Sequence, residues 1–255
     1  MQRLVCAVVQ LTVKAGETRE QAAARVIAAA AGAAAGGAVL CVLPRLDPIV
    51  GDSPDAVTSV TTAAAGKAGL WVVAAGARGV VVATPQGQLR PVPPGGIEPA
   101  SVAGLALGLL PGRGAWSPEM ARILSLRGAE LLVAPVAIPA PYGEWDQLAG
   151  PWQVTQANQV FLAEAGLCGV APGGISYASR AAILGPCEIT PGETGFLARS
   201  DGPGDKVVLA PLDLEALTGV WKNYPIFNEF NYGLYERQLG AYYVGPARGM
   251  GGWTW

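Results

Sequence analysis

The sequence contains no histidine. Without an imidazole, neither a Ser-His-Asp nor a Cys-His arrangement can activate a nucleophile, and the commonest metal ligand is absent. Cysteine is scarce: Cys6, Cys41, Cys168 and Cys187 lie far apart with no C-x-x-C pair. That leaves no disulfide framework and no zinc site to read, and neither a metal nor a cofactor is expected. Cys6 and Cys41 fall inside apolar, strand-like runs, where a buried reduced thiol is the ordinary state. Charged residues make up only 14% of the chain, with a net charge of -2. Such a surface has no basic footprint for nucleic acid or for an anionic membrane. Lysine occurs four times, at Lys14, Lys67, Lys206 and Lys222, and nowhere between residues 68 and 205. No glycine group has G-x-G-x-x-G spacing after a strand, so there is no dinucleotide signal.

One uncharged run approaches the length of a membrane span, from Val26 to Pro44. It is mostly alanine and is interrupted by Gly36-Gly37, so a helix followed by a buried strand accounts for it better. The first residues, Arg3 to Thr12, read as a strand and not as a leader. The expected location is the cytoplasm.

What the chain does have is apolar: 51% of 255 residues, enough to bury a sizeable core. Leu4 to Val9 is a continuous apolar run, as in a strand covered on both faces. Thr18 and Gln21 have capping-box spacing and open an Ala-rich helix that stops at Gly36-Gly37. A second buried strand, Ala38 to Leu43, ends at Pro44-Arg45. Strand, helix and strand with short links form a βαβ unit of an α/β sheet. A helix over 56–67, strands over 70–76 and 79–84 joined by a turn carrying Arg78, and a breaker segment at 90–96 follow. An apolar strand over 102–110 then leads into the turn Pro111-Gly112-Arg113-Gly114. Beyond it, Ser117, Pro118 and Glu119 mark a helix start. Strands are predicted at 131–133, 160–165, 180–184, 195–199 and 206–210, with a helix from Pro151 to about Asn158 and a short one at 213–217. The reading is one domain over 1–222 with an aromatic tail over 223–255.

The order and spacing of several motifs resemble the nitrilase superfamily of carbon–nitrogen hydrolases. Val42-Leu43-Pro44 is similar to the family's "fPE" motif. Ser117 to Arg122, with Leu126 to Glu130 and Pro135, is similar to its "fPElaR…lalrGAe…P" segment. Gly143-Glu144-Trp145 with Gln156-Ala157-Asn158 resembles its "hW…RAiEN" helix. Gly174-Ile175-Ser176, Leu184-Gly185-Pro186, Leu212-Asp213-Leu214 and Tyr224-Pro225 resemble closing motifs. The resemblance covers nearly the whole chain. It implies a four-layer αββα sandwich and a catalytic glutamate, lysine and cysteine. On this chain the glutamate's position holds Arg45, whose guanidinium cannot accept a proton at working pH. The cysteine's position holds Gly112, and the lysine that should follow Gly87 is missing.

The expectation drawn from these departures is a catalytically inactive member, a pseudoenzyme. It would act as a structural or regulatory subunit through association with protein subunits, as a homo-oligomer or beside an active enzyme. The tail aromatics, Trp221, Tyr224, Phe227, Phe230, Tyr232, Tyr235, Tyr242, Tyr243, Trp253 and Trp255, are candidates for that contact. Two alternatives stand beside it. One is hydrolysis of amide or nitrile C–N bonds by an altered mechanism, with Cys168 or Cys187 as conceivable nucleophiles. The other is a small-molecule site for carboxylates in the same pocket, built from Arg45, Arg113, Trp116, Glu119 and Glu144. The plainer account of those arginines is a pair of structural salt bridges to Glu119 or Glu144.

Overall fold

In the first strand alternate side chains point in opposite directions, and both sets are buried. Cys6 and Val8 enter one apolar cluster, while Ala7, Val9 and Leu11 enter another. A strand buried on both faces needs a layer on each side, and that requirement sets the architecture of the computed structural model. It describes residues 3–92, 97–224 and 226–239.

The strands are β1 (Arg3–Thr12), β2 (Leu40–Arg45), β3 (Trp71–Gly76), β4 (Gly79–Ala83), β5 (Leu89–Arg90), β6 (Ala100–Val102), β7 (Leu105–Leu109), β8 (Leu131–Val136), β9 (Phe161–Val170), β10 (Ser176–Ala178), β11 (Ala182–Leu184), β12 (Phe196–Arg199) and β13 (Lys206–Asp213). The helices are α1 (Arg19–Ala35), α2 (Asp47–Val50), α3 (Pro54–Ala68), α4 (Pro118–Leu126), α5 (Glu144–Gln147), α6 (Gln153–Asn158) and α7 (Leu214–Asn223), with a further turn at Tyr232–Leu234. The hydrogen-bonded order β5-β4-β3-β2-β1-β9-β8-β7-β6 forms one curled mixed sheet. Its two halves join at a narrow seam, where Leu11 and Thr12 of β1 pair with Leu167 and Cys168 of β9. β13 runs antiparallel along β1 from Arg3 opposite Asp213 to Gln10 opposite Lys206.

Folded at this seam, the halves stack. Val8, Val42 and Val73 from one half meet Leu107, Val133 and Phe161 from the other in a shared apolar layer. Helices cover the two outer faces. Ala22, Val26 and Ala33 of α1 and Val57 and Val60 of α3 pack on the first half. Ala121 and Leu124 of α4 and Val154 of α6 pack on the second. The four-layer αββα sandwich expected from the sequence is therefore the fold observed. The α1 start is also as read: the Gln21 N–H donates to Thr18 Oγ1 and the Thr18 N–H to Gln21 Oε1, satisfying two end donors.

Four expectations needed correction. The apolar stretch 102–110 is not one strand: Ala103 and Gly104 turn it into an antiparallel β6–β7 hairpin. The helix placed at Pro151 starts earlier, at Glu144, and passes Pro151 through a wide π-type turn over Leu148–Trp152, which tolerates a residue without an N–H. Ser117 does not cap α4 with its side chain; its hydroxyl lies 3.3 Å from Glu119 Oε2 instead. α7 runs to Asn223, well past the short helix predicted at 213–217.

Of the tail aromatics, Trp221 packs on the core and its indole N–H donates to the Gln159 carbonyl at 2.6 Å. Tyr224, Tyr232 and Tyr235 are exposed, and Phe230 stacks edge-on with Tyr232 and Tyr235. Tyr242, Tyr243, Trp253 and Trp255, and the breaker residues 93–96, lie outside the described residues. Among the described residues no helix is long and apolar enough to cross a membrane; the run from Val26 to Pro44 divides between α1 and β2.

Candidate active site

Four turns at the carboxyl ends of parallel strands converge on one open cavity of about 690 Å³. That is the edge at which open α/β sheets usually take their ligands. Arg45 ends β2. Ala77 and Arg78 form the turn between β3 and β4. Pro111 to Gly114 follow β7, and Ala137 to Pro139 follow β8. The first two turns belong to one half of the sheet and the last two to the other, so the cavity lies between the halves.

The turn after β7 is an elbow with an open tip. Gly112 has φ +59, and a Cβ added there would meet nothing within 4 Å. Its N–H reaches the Pro135 carbonyl at 3.4 Å, and the Gly114 N–H donates to the Pro111 carbonyl at 3.0 Å. A non-glycine side chain at Gly112 would have space but a strained backbone.

The charged groups lining the cavity are guanidiniums: Arg45, Arg78 and Arg113. Arg45 forks onto the Asp47 carboxylate, Nε to Oδ1 at 2.6 Å and Nη2 to Oδ2 at 2.8 Å. These bonds push its pKa further up and keep it cationic. The partner is thus Asp47, two residues away, and neither Glu119 nor Glu144. Arg113 stacks over the Trp116 ring with 5.8 Å between guanidinium carbon and centroid. Trp116 stands behind it, edge-on to Tyr142 at 5.8 Å and so close to Gly150 that a Cβ there would fall 2.4 Å from the indole.

Of the residues expected at the site, Arg45 and Arg113 line the cavity and Trp116 supports Arg113. Glu119 stays at the start of α4 beside Ser117. Glu144 is exposed at the start of α5, 3.6 Å from Arg180 and 3.8 Å from Arg199. Neither glutamate lines the cavity. The candidate thiols also lie elsewhere. Cys168 is buried, with its Sγ 3.4 Å from Thr12 Oγ1. Cys187 sits in a turn where burial and the nearby Glu188 and Glu193 raise its pKa.

A second group of residues was not picked out by sequence reasoning. Glu164, in the middle of β9, is completely buried. It accepts from the Tyr142 hydroxyl and from Gln147 Nε2, each at 2.6 Å. Burial lifts its pKa to about 7 against the opposing pull of these two donors. Burial, and then the negative charge of Glu164, push the Tyr142 phenol well up as well. A lone charged residue inside the apolar run Phe161 to Leu167 was the signal available, because such a residue must have buried partners. Among the described residues no group of three or more His, Cys, Asp or Glu side chains could hold a metal ion.

No protein-family model matches the sequence, and no curated protein matches it. Solved structures do match. A carbon–nitrogen hydrolase from Helicobacter pylori G27 superposes with a TM-score of 0.74 at 21% identity, over 93% of this chain and 99% of that one. An amidase from Nesterenkonia sp. superposes with a TM-score of 0.66 at 22% identity, over 87% of this chain and 96% of that one. A double mutant of the Nesterenkonia sp. AN1 amidase, in complex with acrylamide, gives 0.67 at 22% identity, over 87% and 97%.

The fold is that of carbon–nitrogen hydrolases.

That finding corrects the expectation of an inactive structural or regulatory subunit. The superposed proteins are a carbon–nitrogen hydrolase and an amidase, and another structure of the AN1 amidase carries acrylamide added at an active-site cysteine. In the present chain the cavity is open and charged, and nothing in it marks a lost activity.

Proposed function

We propose that the protein hydrolyses the C–N bond of a small amide bearing a carboxylate, with water in place of a side-chain nucleophile. The observation that carries this reading is the convergence of Arg45, Arg78 and Arg113 on one open cavity at the strand ends. Its setting on a fold shared with a carbon–nitrogen hydrolase and an amidase supports it. Guanidiniums stay protonated throughout the working range, so they supply charge and not proton transfer. One can hold the substrate carboxylate in a fork; another can stabilise the charge that develops on the amide oxygen. The water oxygen adds to the carbonyl carbon, the C–N bond breaks, and the amine leaves with the proton the water gives up. A reducing, cytoplasmic setting fits four cysteines that are all free thiols.

The second reading, carboxylate binding without turnover, is favoured by one observation: no His, Cys, Asp or Glu lines the cavity to act as a general acid or base. A single experiment separates the two. The purified protein is incubated with N-acyl amino acids, simple amides and nitriles, and amine or ammonia release is followed by NMR. Release that falls at least about tenfold in both Arg78→Ala and Arg113→Ala supports hydrolysis at this cavity. Thermal stabilisation by carboxylates without release supports the second reading. Release untouched by either substitution, or neither release nor stabilisation, overturns the assignment of the cavity.

A further inference from the structure

We infer that the substrate of this cavity carries two anionic groups, one taken from each half of the sheet. The inference rests on the reading of the cavity as the substrate site and specifies the class of molecule it takes. The charges do not balance within the protein. Arg45 is answered by the bidentate Asp47 carboxylate. Arg78 and Arg113 line the same cavity, yet neither has a carboxylate partner among the described residues. No Asp or Glu lines the wall. Both guanidiniums are exposed to solvent, so their mutual repulsion is screened, and each is open to an anion that enters the cavity.

The placement of the two charges argues for a dianion over a single chelated carboxylate. Arg78 is carried by the β3–β4 turn on one half, and Arg113 by the β7–α4 turn on the other. Each wall therefore presents its own cation. Apart from Arg45, the rest of the lining is apolar or glycine, with Ala75, Met120, Ile138 and Pro139 among it, which suits an uncharged linker. Arg113 is also pre-oriented: it stacks on Trp116, which is wedged between Tyr142 and Gly150. A fixed donor loses less entropy on binding. The class that fits is a small dicarboxylate whose amide lies between or beside the two carboxylates, such as an N-acylated acidic amino acid.

Matched probes of one size and three charges test this. Glutarate, its half-amide glutaramate and its diamide glutaramide are titrated calorimetrically at low salt, and the series is repeated with the succinate and adipate sets. At one length at least, the dianion should bind about tenfold or more tighter than the half-amide, and the half-amide tighter than the diamide. Arg78→Gln and Arg113→Gln should each reduce the dianion to the level of the half-amide and change diamide binding by far less. Arg113→Lys, which keeps the charge, should recover most of the loss. Equal affinity for dianion and half-amide at every length overturns the inference, as does a dianion preference that survives both substitutions. The outcome is separable from the fate of the hydrolase reading. Amide hydrolysis indifferent to a second carboxylate would sink this inference alone. Dianion-selective binding without release would sink the hydrolase reading alone.

Discussion

Replacing Glu164 by glutamine should make the protein more stable at alkaline pH and leave it nearly unchanged at acid pH. Glu164 is completely buried among Tyr142, Gln147 and the apolar residues of β9, with Asp146 and Arg113 the charged groups around that cluster. Its folded-state pKa of about 7 lies above the value of about 4.3 for an unfolded chain. Between those values the folded form binds the extra proton. The carboxyl therefore contributes stability that is complete below about pH 4 and lost as pH rises through 7. At 1.36 kcal/mol for each pH unit between the two values, the loss is on the order of 4 kcal/mol. A glutamine can accept from one partner and donate to the oxygen of the other, so its own cost stays within about 1 kcal/mol. It never ionises. Thermal unfolding of both proteins from pH 5 to pH 8.5 gives the test. Lowered carboxylate pKa values at Asp201, Asp205 and Asp213 act in the opposite direction, but they are common to both proteins and cancel in the difference. The two Tm values should nearly coincide at pH 5. By pH 8.5 the variant should melt higher, at roughly 2–4 °C per kcal/mol for a chain of this size. Parallel curves, or a variant that melts lower at pH 8.5, would refute the assignment of a strained buried carboxylate.

Four further outcomes are expected. If neutral water attacks without a side-chain acid or base, the hydrolysis rate should stay flat between about pH 6 and 9; a bell-shaped profile would show that a titrating group takes part, and a steady rise would show that hydroxide attacks instead. Gly166→Ala places a Cβ 2.5 Å from the Arg180 carbonyl oxygen and 2.7 Å from its nitrogen. Since backbone cannot yield as a side chain does, urea unfolding should show a loss of about 3 kcal/mol or more. Gly112→Ala should cost only about 1 kcal/mol, through its φ of +59, because the cavity leaves the new Cβ free of contacts; a loss above about 3 kcal/mol would mean the elbow is not open. Thr18→Ala removes one side of the capping box on α1 and should cost about 1 kcal/mol by chemical denaturation.

Most of the elements were legible because the signals were local. The Thr18–Gln21 capping box, the glycine stops and the unbroken apolar strands each depend on a few neighbouring residues. Where two signals competed, the sequence misled. Ala103 adopts φ +53, a conformation no alanine advertises, so the β6–β7 turn was hidden inside an apolar run. Pro151 looked like a helix start, whereas the wide turn at Leu148–Trp152 absorbs it mid-segment. The site was half legible. Arg45 and Arg113 were placed by the motifs around them, but Arg78 was only a turn residue until the sheet halves stacked. That stacking depends on the seam at Leu11–Leu167 and Thr12–Cys168, pairs about 156 residues apart along the chain. Glu164 went unremarked in an apolar strand, and Tyr142 and Gln147 could be identified as its partners only in three dimensions.

The long antiparallel match between β1 and β13 bears on how the chain is made. β1 can pair with β2 as soon as residue 45 has emerged, yet its other edge is completed by residues 206–213. At a synthesis rate of about 5–20 residues per second, the roughly 160 residues between those points take on the order of 10 to 30 s. For that interval the nascent protein carries an apolar strand with one open ladder, the kind of edge that recruits other strands. That pairing comes late in synthesis and closes an edge of β1 that stays open until then.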